Sequence, residues 1–145
     1  MRSPSKTSLA CVFVLAGGLA ASGAAGEPRE ALKRFGAALL QGNADGLRAT
    51  LPQEGKVRVR LIRLGPEDGA VRGGQLHAVL QDFLERGSVQ SFKLHTIEQT
   101  ENLALAAAEV RLIDALGNRA KVRLHLSLEP EDERWVLREI RESSK

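Results

Sequence analysis

Hydrophobic positions along this chain change period from helical spacing to strict alternation and back, and those changes divide it into elements. Leu32, Phe35 and Leu39 fall at helical spacing behind Pro28, which suits a first helical turn where a missing N–H costs nothing. Gly42 offers a left-handed stop. Asn43 is then an N-cap for a second, short helix, "ADGLRATL", with Asp45 in its first turn and Pro52 beyond its end. "KVRVRLIRL" alternates, with Val57, Val59 and Leu61 on one face and Lys56, Arg58 and Arg60 on the other, which predicts a strand half in the core. A loop, "GPEDGA", follows. Leu76, Val79, Leu80, Phe83 and Leu84 then form a full helical stripe closed by Gly87 at the C′ position.

The remainder reads as strand. Phe92 and Leu94 alternate with Lys93 and His95. "LALAAAEVRLIDAL" puts Ala106, Ala108, Val110 and Leu112 on one face, and "RAKVRLHLSL" does the same with Ala120, Val122, Leu124, Leu126 and Leu128. Keeping apolar faces together demands an odd loop between them. A loop spanning Leu116 to Asn118 would pair Leu112 with Val122 and Val110 with Leu124. After the acidic turn "EPEDE", the segment "RWVLREIRE" returns as the last strand. The order α-α-β-α-β-β-β-β, with helices gathered on one face of an antiparallel sheet, is an α+β fold.

Residues 1–25 stand apart from this pattern. "MRSPSK" is basic, "LACVFVLAGGLA" is apolar and "ASGAAGE" is small, the three parts of a secretory signal peptide, with cleavage fitting after Ala24, Ala25 or Gly26. The apolar run Leu9–Ala25 is broken by Gly17, Gly18, Ser22 and Gly23 and falls short of the ~20 residues of a membrane span. Cys11 lies at the start of that run, whereas a lipidated cysteine would follow it. The expectation is an exported protein, periplasmic or secreted, with no stable membrane anchor after cleavage and a domain over residues 27–142. Cleavage removes Arg2 and Lys6, so the 21 bases fall by two against 18 acids and the formal charge drops from +3 to +1. The basic balance then gives little support to a nucleic-acid partner. Cys11, the sole cysteine, also leaves, and with it any disulfide, thiol nucleophile or thiolate metal site. What remains, at 43% hydrophobic and 27% charged over the whole chain, is ordinary globular composition.

Three stretches carry a resemblance: "LLQGNADGLRATL", "GGQLHAVLQDFLERGSVQSFKLH" and "KVRLHLSLEPEDERWVLREIR", the last with Trp135, Leu137 and Ile140 at final-strand spacing. Over residues 28–142 the chain resembles the nuclear transport factor two-like (cystatin-like) superfamily, and within it an exported bacterial branch classed as a domain of unknown function. The resemblance implies a cone-shaped α+β roll in which a curved sheet wraps a central helix. It does not imply one activity, because the superfamily holds isomerases, cyclases, dehydratases and transport factors. Relatives often carry an aromatic and a serine ahead of the central helix, where this chain has Val71-Arg72-Gly73-Gly74.

Superfamily enzymes place acids, histidines or tyrosines on the inward sheet face. Here the corresponding positions, Phe92, Leu94, Val110, Leu112, Val122, Leu124 and Leu126, are all apolar, and the chain has no tyrosine. With Phe83 from the helix, the first six of these are the expected lining of any pocket in the cone. His77 falls off the helical stripe beside Gln81 and reads as solvated, while His95 and His125 share the outward parity of Lys93 and Arg123. No two histidines have metal-ligand spacing, and no metal or cofactor is expected. Glu109 is expected across from His125 as an exposed ion pair. The stripe Lys56, Arg58, Arg60 and Arg63 could grip phosphate, but three phenylalanines and one tryptophan outside the leader leave no stacking platform, so it reads as a solvated strand face. "EPEDE" and "GPED" lack the alternating oxygen ligands of a calcium loop. The leading reading is therefore a small exported binding or interaction module, holding a small apolar ligand in the cone. The alternative is an isomerase- or dehydratase-like enzyme in the same pocket, with Thr96, Asp114 or Glu139 as its polar group. The outward hairpin face mixes charges of both signs, which predicts a monomer or a weak, salt-sensitive homodimer.

Overall fold

The computed structural model describes residues 27–64 and 68–144. The leader, residues 1–25, and most of the "GPED" turn, residues 65–67, lie outside the described residues. Helix α1, Pro28–Gln41, starts with Pro28 at its head and ends at Gly42, whose φ of 66° is the left-handed stop. A 3-10 helix, Ala44–Thr50, follows, with Asn43 accepting a hydrogen bond from the Gly46 amide. Strand β1 (Lys56–Arg60), β2 (Gly69–Arg72), helix α2 (Gly73–Arg86), β3 (Ser88–Gln99), β4 (Ala104–Ile113), β5 (Arg119–Glu131) and β6 (Arg134–Ser144) complete the chain.

The strands form one sheet in the order β2-β1-β6-β5-β4-β3, antiparallel except where β1 runs parallel to β6. The helices pack on one face of this curved, unclosed sheet, an α+β cone. Strand β2 adds an edge that the pattern did not announce: "GAVR" is four residues with no buried alternation, held by pairing to β1.

The core is the inner sheet face meeting the helices. Val57 and Val59 of β1, Val110 and Leu112 of β4, Val122, Leu124, Leu126 and Leu128 of β5, and Leu137 and Ile140 of β6 are buried. They meet Leu32, Phe35 and Leu39 of α1 and Leu76, Leu80 and Phe83 of α2. Phe92 stands edge-on to Phe35 with ring centroids 6.2 Å apart. Its ring occupies the space where a side chain on Gly36 would be, 2.4 Å from a notional Cβ.

Four expectations change. The β4–β5 loop is odd, but it is Ala115–Gly117: the Asp114 amide donates to the Asn118 carbonyl, and the Asp114 carboxylate accepts from the Leu116 and Asn118 amides. That local Asp turn sets the register two residues from the expected one, so Leu112 faces Ala120 and Val110 faces Val122. Glu109 consequently faces Arg123, not His125, and binds His95 Nε2 at 3.2 Å and Lys121 at 3.2 Å. Gly87 ends α2 in extended backbone (φ −132°) rather than the left-handed form, and its lack of a side chain matters because the Ile113 carbonyl oxygen would lie 2.4 Å from a Cβ. His77 is buried, not solvated, at 5% exposure. Helix α2 packs against the 3-10 helix as well as the sheet, so Gly73, His77 and Leu80 form a covered row while Val79 is left half-exposed.

Candidate functional site

At the end of the cone where β1 runs out, α2 and the segment Ile62–Leu64 leave a groove of about 500 Å³, within the range of small-molecule sites. Ile62, Leu64, Ala78, Val79, Phe83 and Ala115 supply its apolar wall, and Arg63, Asp82 and Arg86 its polar groups. The charged groups hold one another. Arg63 Nη1 lies 3.2 Å from Asp114, and Arg86 is paired one turn along α2 with Asp82, whose hydrogen bond raises the arginine's pKa further. Asp114 is held below the usual carboxylate range, first by the Asn118 amide; burial opposes this, and the Leu116 amide and Arg63 reinforce it.

What gives the groove its far wall is Glu142. Its carboxylate, 3% exposed, accepts the amides of Ile62 (2.9 Å), Arg63 (3.0 and 3.1 Å) and Leu64 (3.2 Å). Three successive N–H groups converge on one carboxylate, an anion-binding concavity filled from within the chain. The segment has no sheet partner for these amides, so Glu142 satisfies donors that would otherwise be unpaired. It also fixes Ile62, 61% exposed, and Leu64, 2% exposed, as opposite edges of one turn.

Of the residues expected to line a pocket, Phe83 does line the groove. Val110, Leu112, Val122 and Leu124 are buried in the core, and Phe92 and Leu94 are half-buried against it. Leu112 also borders a smaller depression of about 300 Å³ with Gln90, Arg119 and Lys121. Thr96 is exposed on the outer face, Glu139 lies half-buried opposite Ser127 and Arg58, and only Asp114 reaches the groove's edge, through Arg63. Glu142, Ile62 and Leu64 escaped the sequence reading. The available signal was parity: Glu142 stands two residues beyond Ile140 and so shares its inward direction.

His77 is the other buried polar side chain near α2. Among the described residues its Nε2 has no hydrogen-bond partner, and it lies 3.9 Å from an Asp45 oxygen. It faces the 3-10 helix and is not part of the groove wall. Among the described residues no three histidine, cysteine, aspartate or glutamate side chains cluster as metal ligands, and no helix is long and apolar enough to cross a membrane.

Comparison with known proteins gives fold but not activity. No family model and no curated protein matches the chain. Among solved structures, a DUF4783 family protein from Bacteroides uniformis superposes with a TM-score of 0.63 at 13% identity, covering 78% of this chain and 95% of that one. An NTF2-like family protein from Streptomyces avermitilis, described as a candidate dehydratase, gives 0.59 at 16% identity, covering 81% and 92%. An LEH-like epoxide hydrolase from M. tuberculosis gives 0.58 at 20% identity, covering 80% of each. The order of elements, the curved sheet and these superpositions together establish the nuclear transport factor two-like fold for this chain.

Proposed function

We propose that this chain is a binding module, exported after loss of its leader, that holds a small amphipathic ligand in the groove between α2 and Ile62–Leu64. The observation that carries the reading is the division of labour at that site. The apolar wall is open at Ile62 and Val79, with buried Leu64 and Phe83 behind them, while the polar groups around it are already committed to one another. A ligand with an apolar body would cover Val79 and Ile62, and a single anionic end would share Arg63 or Arg86 with its present partner.

An enzyme needs a group free to accept or donate a proton near the substrate. Asp82, the one carboxylate in the described wall, is bound to Arg86, and Glu142 spends both oxygens on backbone amides. The dehydratase and hydrolase names among the fold neighbours therefore favour no particular chemistry here.

The test is calorimetric titration of the purified protein with decanoate, an apolar chain with one carboxylate. Saturable binding is expected, weakened at least about tenfold by Val79→Asp, which places a charge on the half-exposed wall without touching the buried stripe. Binding that survives Val79→Asp unchanged, or no saturable binding at all, would overturn the proposal.

A further inference from the structure

The outer face of the sheet is mostly a lattice of opposite charges. Glu109 is flanked by His95 and Lys121, and Arg138 by Glu129 and Glu131. One row departs from this. Arg60 of β1 is in register with Arg141 of β6, and Arg141 is in register with His125 of β5, so three cationic or protonatable groups sit side by side across adjacent strands. Arg123 precedes His125 by two residues on the same face. Like charges directly opposite one another in a sheet destabilise it. Among the described residues none of Arg60, Arg123 and Arg141 makes an ion pair or side-chain hydrogen bond.

The row ends in a concavity. A depression of about 550 Å³ beside the end of β1 is lined by Arg60, Arg141 and Ser143, with Ile62, Asp68 and Glu142 completing it. Glu142 makes no ion pair with either arginine among the described residues, its oxygens being turned to the Ile62–Leu64 amides. Asp68 is exposed at the rim. Two guanidinium groups and a hydroxyl at one hollow are the donor set that suits a tetrahedral oxyanion, because arginine presents forked donors that match phosphate oxygens.

We propose that this hollow on the outer face, formed by Arg60, Arg141 and Ser143 with Arg123 and His125 beside it, binds the phosphate group of a small phosphate ester or lipid headgroup. It lies across Ile62 from the decanoate groove and does not depend on that groove being a site. The electrostatics agree with the geometry. His125 is pushed below its ordinary pKa by desolvation first and then by Arg141 and Arg123. Its other neighbours in register and on the diagonals are Ala107, Leu105, Glu109, Ser127, Glu139 and Ser143, and the net local field remains positive. A bound phosphate would offset that field, and His125 reports it.

The experiment follows the His125 imidazole by NMR while inorganic phosphate or glycerol phosphate is titrated into the protein. Ionic strength is held constant with chloride, because salt alone screens the arginines. The expected result is a saturable response with the His125 pKa moving up, specific to phosphate. Arg60→Gln and Arg141→Gln should each weaken it about tenfold, as loss of one charge-assisted hydrogen bond does. Arg34→Gln, exposed on α1, should leave it unchanged. Both test substitutions are on the surface, and Arg141→Gln should by itself raise the His125 pKa, which verifies the fold and the field together. Sedimentation with phosphatidylglycerol vesicles, but not phosphatidylcholine vesicles, and release by the same two substitutions would assign the phosphate to a lipid headgroup. A response to free phosphate without vesicle binding would assign it to a soluble ester. An equal response to chloride, or phosphate binding retained in the Arg60→Gln/Arg141→Gln double variant, would overturn the proposal.

Discussion

Two carboxylates from the β5–β6 hairpin pin the chain on either side of β1, and they do it in different ways. Glu131, where β5 turns into β6, accepts the Gln53 and Glu54 amides at 3.0 and 3.3 Å ahead of β1 and is flanked by Arg134 and Arg138. Glu142, at the far end of β6, accepts three amides behind β1 and makes no ion pair among the described residues. Each arginine at the Glu131 end also donates to main-chain carbonyls: Arg134 to Arg48, Ala49 and Leu51, and Arg138 to Glu54. The first clamp is thus a redundant network at a partly wetted turn. The second is one buried group on which a whole segment depends. Redundancy ties down the chain after the 3-10 helix, whereas a single point of attachment leaves the Ile62–Leu64 end shaped but uncovered, and that is where the groove lies.

Removing each clamp should separate them sharply. Glu142→Ala removes the buried carboxylate that accepts three backbone donors at once, and should cost on the order of 3 kcal/mol in urea unfolding. Glu131→Ala should cost about 1–2 kcal/mol, since its arginines keep their carbonyl partners and water reaches the turn. Equal losses would mean that the network at Glu131 is no more redundant than the lone carboxylate.

A subtler difference lies in acid. Burial would raise the Glu131 pKa, but the Gln53 and Glu54 amides, with Arg134 and Arg138, overcome that and hold it below its ordinary value of 4.5. A carboxylate depressed in the folded state contributes stability that is fully present above its unfolded pKa and lost as pH falls through its folded one. The stability gap between wild type and Glu131→Gln should therefore be constant near neutrality and shrink as pH falls below about 4.5. A gap that widens in acid would contradict the assignment.

The same comparison shows what the sequence could disclose. Strand faces were legible because β4 and β5 alternate cleanly, and the apolar stripe of α2 was legible because Leu76, Leu80 and Phe83 repeat at helical spacing. Contacts made across long sequence separations were not. Glu142 reaches back 80 residues to Ile62, and parity with Ile140 gives its inward direction but not that distant partner. The irregularity in β5–β6 pairing beside Ser127 also breaks the simple alternation of "RWVLREIRE", so parity counted from Trp135 misleads by one. His77 failed for a related reason: its burial depends on the 3-10 helix, a second neighbour that periodicity along α2 cannot register. The β4–β5 register was decided by the Asp114 side chain within its own turn, a contest between two odd loops that face-matching alone leaves tied.

The central claim is that the ligand sits in the uncovered end and not in the filled cone. Backbone amide shifts recorded during a decanoate titration test it directly. The account predicts that the changes gather at Ile62–Leu64, Val79 and Phe83, with Leu94, Val110 and Leu124 unmoved. Shifts centred on Val110 and Leu124, with Ile62–Leu64 silent, would contradict it by showing that the cone opens to take the ligand inside.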